Sequence, residues 1–377
     1  MRVVIFCHSL VSDWNHGNAH FLRGVTSELV ARGHSVRVFE PREAWSVVHL
    51  LDQQGETAIA AFERAYPELA GISTRYDGGA LDLDAALEVA DLVLVHEWND
   101  HALVAAIGAH RAARGSYVLL FHDTHHRSVT DPAGIAGYDL LHYDGVLAFG
   151  DVIRDAYLHK GWAARAWTWH EAADVRRFRP MQADTLDGDV VWIGNWGDDE
   201  RTAELHEFLI DPIRVLGLKA RFHGVRYPDD ARRTLDAAGI EYGGWLPNYE
   251  VPEAFGRFRA TVHVPRRPYL TVLPGIPTIR PFEALACGIP LVSAMWQSTA
   301  GLFTPGEDFL VASDGAEMTR QLERLLTDSA LSARLAAHGR GTVLGSHTCG
   351  HRVDQLLAIV DEVRGTGAVL PQHESIA

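Results

Sequence analysis

Residues 278–293 read TIRPFEALACGIPLVS, and they carry more of the architecture than any other stretch of the chain. Pro281 stands where the first turn of a helix tolerates a missing N–H. Gly288 can close that helix in a left-handed cap, and Pro290 keeps it from resuming. Leu291, Val292 and Ser293 then read as a short buried strand. Arg280 and Glu283, three residues apart, share one helical face near the N-terminus. That end of a helix carries partial positive charge and free N–H groups, which suit an anion such as a diphosphate. A neighbouring arginine adds charge, and a carboxylate one turn on accepts hydrogen bonds from a ribose diol. This outlines a nucleotide-sugar pocket. The plainer alternative is an ordinary helix–strand unit with Arg280 and Glu283 paired on the surface.

Outward from this unit the chain alternates strands and helices. Residues 3–7 read as a strand, 9–17 as a polar loop and 19–32 as a helix with apolar Phe21, Leu22, Val25, Leu29 and Val30. Gly33 caps that helix and 36–39 form the next strand. The ligand edge of such a βαβ unit is the loop after its first strand. That loop has no G-x-G-x-x-G; it offers Gly17 and Asn18 instead. Further strands are expected at 92–95, 117–121 and 145–148, with helices at 58–66, 101–114 and 152–160. A second series follows, with strands at 190–193, 219–223, 262–264 and 291–294. Its helices are expected at 201–209, 229–238, 251–258, 318–326 and 332–338. The pattern predicts an α/β fold of two Rossmann-like domains, 1–180 and 181–345, facing across a cleft. An amphipathic helix over 346–364, carrying Val353, Leu356, Leu357, Ile359, Val360 and Val363, and a loose tail over 365–377 complete the chain.

The composition narrows the partners. With 377 residues, 47% apolar and 22% charged, the chain has the length and balance of two globular domains. A formal charge of −15 argues against general nucleic-acid binding, which relies on a basic footprint. Lys160 and Lys219 are the only lysines, so any anion site falls to arginines such as Arg201, Arg266, Arg267 and Arg280. Cys7, Cys287 and Cys349 are too few and scattered for a disulfide framework or a zinc site. No apolar run approaches the ~20 residues of a membrane span, and a cytoplasmic location is the expectation.

The run R-x-F-E-A-L-A-C-G-x-P within residues 280–290 resembles the donor-site signature of GT-B glycosyltransferases, in particular the CgeB-like branch. The resemblance extends over residues 1–40, 190–201 and 243–293. It implies a GT-B fold whose last helix crosses back to the first domain. It also implies metal-independent, retaining transfer of a sugar from a nucleotide-diphosphate sugar, with no further cofactor. Several site residues follow from it. Gly194, Asn195 and Arg201, after a strand and before a helix, would contact the diphosphate, with Asp198 as N-cap; pairing of Arg201 with Glu204 or Asp198 is the surface alternative. His223 and Trp245, in FHG and YGGWLPN, would flank the base, although a plain core role suits Trp245 equally. Gly17 and Asn18 would let sugar and acceptor approach. One departure stands out: where many retaining relatives carry E-x7-E, the second glutamate matches Glu283 but the first position is Gly275. Backbone amides around Gly275 and Ile276 are expected to take over part of that work.

Residues 116–127, SYVLLFHDTHHR, deliver His122 and Asp123 to the end of a buried strand, where α/β sites are built. His122 is expected to line the cleft as a catalytic residue beside Arg280. Asp123 would orient it or bind the acceptor, and His96 would stand on the acceptor side. The same histidines admit another reading, a metal-dependent hydrolase built on His122, His125 and His126. A nucleotide-sugar epimerase of the same fold and a non-catalytic nucleotide-binding scaffold are the remaining alternatives. The expected partners are a nucleotide-sugar donor and an acceptor whose identity, like the base and the oligomeric state, the residues do not specify.

Overall fold

A computed structural model describes residues 1–197, 200–296 and 301–367. Its strands form two parallel sheets. The first contains β1 (Arg2–Phe6), β2 (Ser35–Pro41), β3 (Ser73–Tyr76), β4 (Leu92–His96), β5 (Val118–Asp123), β6 (Gly145–Ala148) and β7 (Ala166–Thr168), in the order β3-β2-β1-β4-β5-β6-β7. The second contains β8 (Gly188–Ile193), β9 (Ala220–His223), β10 (Glu241–Tyr242), β11 (Phe258–His263), β12 (Leu291–Ala294) and β13 (Leu310–Ala312), in the order β10-β9-β8-β11-β12-β13. Central strands such as β4 (LVLVH) and β5 (VLLFHD) are buried at every residue. Helices covering both faces of a parallel sheet demand such continuous apolar runs. Each sheet reverses direction of winding at one place, between β1 and β4 and between β8 and β11, and ligands of open α/β sheets bind beyond the strand ends there.

The expected central elements are present; the differences lie at the edges. β3, β7, β10 and β13 are the four edge strands, and none was anticipated as a strand from the sequence. All four are short, and β3, β7 and β10 contain no fully buried residue, so no apolar run announces them. Helix Trp45–Gln54 was likewise unanticipated. The helix expected over 201–209 begins as Thr202–Leu205, widens into a π turn over His206–Ile210 and continues as Asp211–Leu216. Pro212 lacks the N–H that would continue an α register through that turn. The helix expected over 251–258 stops at Gly256, and Phe258 opens β11 instead. Asp198, expected as an N-cap, and residues 368–377 of the expected tail lie outside the described residues.

The donor-side unit forms as its punctuation implies. Helix Ile279–Cys287 ends on Gly288 in the left-handed conformation (φ 67°), and β12 follows. The C-terminal helix Cys349–Gly367 returns to the first domain. There Val353, Leu356, Val360 and Val363 join the core formed by β1, β2 and helix Ala19–Ala31. Polar contacts fix its position: Trp169 Nε1 donates to Arg352 O (2.8 Å) and Arg352 Nε donates to His170 O (2.8 Å). No described helix is long and apolar enough to cross a membrane.

Gly24 packs against Cys349, the first residue of this returning helix. A Cβ there would stand 2.5 Å from Cys349 Sγ and 2.8 Å from Asp174 Cβ. Alanine gains about 1 kcal/mol over glycine in a helix interior, whereas overpacking a core costs about 1–3 kcal/mol. Gly24→Ala is therefore expected to destabilise the protein despite its better helix propensity, read as a lower midpoint in urea unfolding. A raised midpoint would show that the two helices separate freely.

Candidate active site

The C-terminal ends of both sheets open onto one cleft, and its main cavity has a volume of about 550 Å³. From the first domain it is lined by His8 and 15–18 after β1, Trp98 after β4, 124–126 after β5, Phe149 after β6 and Glu171 after β7. From the second it receives Gly194 and Asn195 after β8, Arg226 after β9, 264–266 after β11, Tyr269, and 278–280 at the start of the donor-side helix. A smaller recess of about 90 Å³ shares Asn15, His16, Gly17, Gly194, Asn195 and Arg280, and is also lined by Gly224, Trp245, Asn248 and Glu283. Both winding reversals therefore contribute to one space.

The second-domain wall is a cluster of guanidinium groups. Arg201 is packed over the Trp192 ring (5.1 Å) and donates to the carbonyls of Val264 (3.1 Å), Trp196 (3.3 Å) and Asn195. Among the described residues it has no carboxylate partner: of the two anticipated, Glu204 pairs with Arg267 (3.0 Å) and Asp198 lies outside the described residues, while Glu200 pairs with Arg266 (2.8 Å). Burial, followed by the charges of Arg266 and Arg280, pulls Arg201 down to about 9. Arg280 pairs with Glu283, as its helical spacing implies, but the pair is not a surface one, since Glu283 is completely buried. Glu283 Oε1 accepts from Asn248 Nδ2 (2.8 Å) and lies 3.2 Å from His20 Nδ1. Asp174 N–H donates to His20 Nε2 (2.9 Å), so a neutral His20 ring carries its proton on Nδ1, toward the carboxylate. Burial alone would raise Glu283, but the Arg280 charge and the His20 and Asn248 contacts outweigh it and hold it below its usual range.

Gly17, Asn18, Gly194, Asn195, Arg201, Trp245, Arg280 and Glu283 thus come together around the two cavities. Asn195 also bridges the domains, donating to Asn15 Oδ1 while its own Oδ1 accepts from Val225 N–H (2.9 Å). Six other anticipated residues do not line either cavity. His122 and His96 are buried side by side (Nδ1 to Nε2, 3.3 Å), with His122 edge-on to Trp169. They occupy paired positions of adjacent strands, and both point into the domain rather than beyond the strand ends. Asp123 is fully buried, accepting from Tyr157 OH (2.8 Å) and His125 N–H (3.1 Å), and burial raises it to about 6 despite those donors. His223 packs against Gly243, whose hypothetical Cβ would lie 2.4 Å from the ring. Gly275 and Ile276 are buried where the second domain docks onto the first: a Cβ on Gly150 would lie 2.3 Å from Ile276 Cγ1. Neither residue lines the two cavities. The histidine-based hydrolase loses its geometry too. His125 and His126 line the cavity and His122 does not, and no described group of three or more His, Cys, Asp or Glu is arranged to hold a metal ion.

Other lining residues went unrecognised in the sequence because their neighbours come from distant segments. Trp45 and Trp98 expose about 40% and 42% of their surface, with His8, His16 and His125 near them at the cleft mouth. Burial lowers His8 to about 4 and His125 to about 2, and lowers His16 well below its usual value, so these imidazoles are neutral at pH 7. Glu171 was also missed. Its Oε1 accepts from Asn18 Nδ2 (3.1 Å), and burial, with a smaller push from the Glu283 charge, raises it to about 8. A carboxyl with a raised folded-state value favours folding below the unfolded value, 4.5, and loses that contribution as pH climbs toward about 8. Glu171→Gln is therefore expected to melt above the parent at high pH, with the difference vanishing at low pH. An equal difference at both ends would mean that Glu171 does not titrate in this window.

Residues 201–358 match the family model described as glycosyl transferase-like. No curated protein matches the chain in sequence. Among solved structures, sucrose-phosphate synthase from Thermosynechococcus elongatus superposes with a TM-score of 0.65 at 14% identity, covering 97% of this chain and 100% of that one. An alpha-glucosyltransferase in complex with UDP and a 13-mer DNA containing an HMU base gives 0.68 at 13%, covering 96% and 99%. Anabaena HepE in complex with UDP and glucose gives 0.64 at 13%, covering 96% and 100%. These likenesses fix the architecture, and the matched domain contains both Arg201 and the donor-side helix. The chain thus shares the fold of these structures, and its residues 201–358 are similar to a glycosyl transferase-like domain.

Proposed function

We propose that the chain transfers a sugar from a nucleotide-diphosphate sugar to a hydroxyl acceptor held against the first domain, without a metal. The observation that carries this reading is Arg201, a half-buried cation held by carbonyl oxygens and crowded by Arg266 and Arg280. A partly desolvated cation with no carboxylate partner among the described residues is costly, and a diphosphate supplies an anion for it. The N-terminus of helix Ile279–Cys287 faces the same space and adds its free N–H groups.

In the transfer, the bond from the sugar C1 to the β-phosphate oxygen breaks and a bond from C1 to the acceptor oxygen forms. The acceptor proton passes to the departing diphosphate, the outcome consistent with retention by front-side attack. Negative charge grows on the leaving oxygens, so Arg280, Arg201 and the helix start stabilise the transition state more than the ground state. The same cations take the charge-neutralising part that a divalent metal plays elsewhere. Glu283, in the smaller recess with Asn248, accepts from the ribose, and Trp245 walls the base. On the opposite face, Trp45, Trp98 and the neutral imidazoles of His8, His16 and His125 offer an aromatic, uncharged surface. A neutral, hydroxyl-bearing acceptor such as a carbohydrate suits that surface better than a phosphate polymer, as does the net charge of −15.

A thermal-shift series with UDP, GDP, ADP, CDP and dTDP, with and without EDTA, tests the donor site. One nucleotide at 100 times its dissociation constant is expected to stabilise the protein by about 2.7 kcal/mol, unchanged by EDTA. Arg201→Lys is expected to weaken that binding by about 30-fold, because the ammonium keeps the charge and loses the planar fork. Unaltered affinity would remove Arg201 from the diphosphate site. Trp98→Ala is expected to raise the acceptor KM several-fold with nucleotide affinity unchanged; an unchanged KM would move the acceptor elsewhere. Release of a new free sugar without any acceptor would favour the epimerase.

A further inference from the structure

Glu97 and Asp123 lie completely buried at the ends of two neighbouring strands, outside the cavity lining. β4 and β5 pair His96 with His122, so the next residues, Glu97 and Asp123, stand side by side. Asp123 accepts from His125 N–H at Oδ1 (3.1 Å) and from Tyr157 OH at Oδ2 (2.8 Å). Glu97 Oε1 accepts from Thr124 N–H (3.2 Å), whereas Oε2 meets no N–H or hydroxyl donor of the described residues. The two carboxyl groups are in hydrogen-bond contact with each other. Adjoining carboxylates withdrawn from water cannot both stay ionised, so one proton lies between them. Asp123 already has two donors, which leaves Glu97 to carry that proton and donate it. Burial, and then the Asp123 charge, raise Glu97 well above the usual carboxyl range, while Asp123 reaches about 6. The surrounding groups do not offset a second charge. Arg127 directs its guanidinium to Glu97 O (3.5 Å) and Asp131 Oδ2 (3.3 Å). Tyr138, Tyr157 and Tyr269 are phenols raised by burial, and burial keeps His96, His122, His125 and His126 neutral at pH 7.

The turns that these carboxyls hold do reach the cavity, through Trp98, Thr124 and His125. Trp98 stands between the His125 ring (5.1 Å) and the Arg127 guanidinium (5.0 Å), so both turns fix its place. We propose that Glu97 and Asp123 are a positioning pair, sharing one proton that fixes the Trp98 and His125 wall of the cavity and releases that wall at alkaline pH. A carboxyl whose folded value is raised above 4.5 contributes fully below 4.5 and loses that contribution as pH rises through the raised value. Loss of the proton leaves two buried charges in contact, and outward movement of the turns at residues 97–99 and 123–127 relieves it. The guanidinium wall of the second domain takes no part in the pair. Trp98 and His125 belong to the acceptor face of the function proposed above. The consequence for acceptor binding rests on that reading; the shared proton and the wall do not.

Infrared difference spectra of the parent and Glu97→Gln read the proton. At pH 7 the parent is expected to show the C=O stretch of one neutral carboxylic acid that the variant lacks, and to lose it as pH rises. Hydrogen exchange followed by mass spectrometry between about pH 6 and about pH 10, corrected for the intrinsic base-catalysed rate, reads the wall. In the parent, protection of residues 97–99 and 123–127 is expected to fall at least about tenfold over the interval in which the band disappears. Glu97→Gln keeps a donor toward Asp123 without an ionisable group, so its protection is expected to stay level. Peptides from β8 and helix Ile279–Cys287 are the control and are expected to stay level in both proteins. Absence of the neutral band at pH 7 would overturn the shared proton. A pH-independent wall in the parent, or an equal fall in the variant, would overturn the positioning role. An equal fall in the control peptides would mean global unfolding and overturn it as well. Should Glu97→Gln fail to fold, Asp123→Asn removes the second charge instead and is expected to give the same level protection. Neither measurement involves a nucleotide or an acceptor, so failure of the donor site leaves both results standing.

Discussion

A carboxylate withdrawn completely from water must be met by donors, and Glu283 gathers polar groups from three separate parts of the chain, two of them donors and His20 a close neighbour. Arg280 comes from its own helix, Asn248 from the segment after β10, and His20 from the first helix of the opposite domain. Asp13 plays the converse part from the first domain. It pairs with Arg23 (2.7 Å) and accepts from Trp245 Nε1 (3.1 Å) and Asn248 N–H (3.0 Å) across the cleft. The two carboxylates thereby set how the sheet ends face each other, and the cavity is the space they leave. Desolvation offsets much of the attraction in such buried pairs, so their contribution is chiefly one of position.

That positioning gives the cleft two unlike walls. The second domain presents guanidinium groups and a helix N-terminus, fixed in place before any ligand arrives. Charge already oriented costs no reorganisation when a leaving group develops its own, which is the main source of electrostatic catalysis. The first domain presents indole rings, neutral imidazoles and the hydrogen-bonded Asn18–Glu171 pair. The docking of Ile276 against Gly150 and the return of the C-terminal helix onto Gly24 hold the walls in register by close packing.

The donor-side unit was legible because its signals are local. Pro281, Gly288 and Pro290 act on their own backbone, so the helix, its left-handed cap and the next strand follow from short-range sterics. The pairing of Arg280 with Glu283 follows from helical spacing alone. Arg201 lines the cleft, and of the two partners that the sequence offers it, Glu204 goes to Arg267 while Asp198 lies outside the described residues. His122 failed for a reason equally physical. Alternation along a strand specifies that successive side chains take opposite faces, but not which face becomes the ligand edge; pairing with His96 and packing on Trp169 turned it inward.

The sequence by itself determined the two α/β series, their central strands and the helix over residues 279–287, because each depends on apolar periodicity or backbone punctuation within a few residues. Tertiary structure alone decided the edge strands, the burial of Glu283, the inward turn of His122 and the arrival of Glu171 beside Asn18. The last pair is separated by 153 positions, and no local pattern relates them. Their meeting depends on how seven strands stack and on where the second domain docks, and both are set by the summed packing of the whole chain.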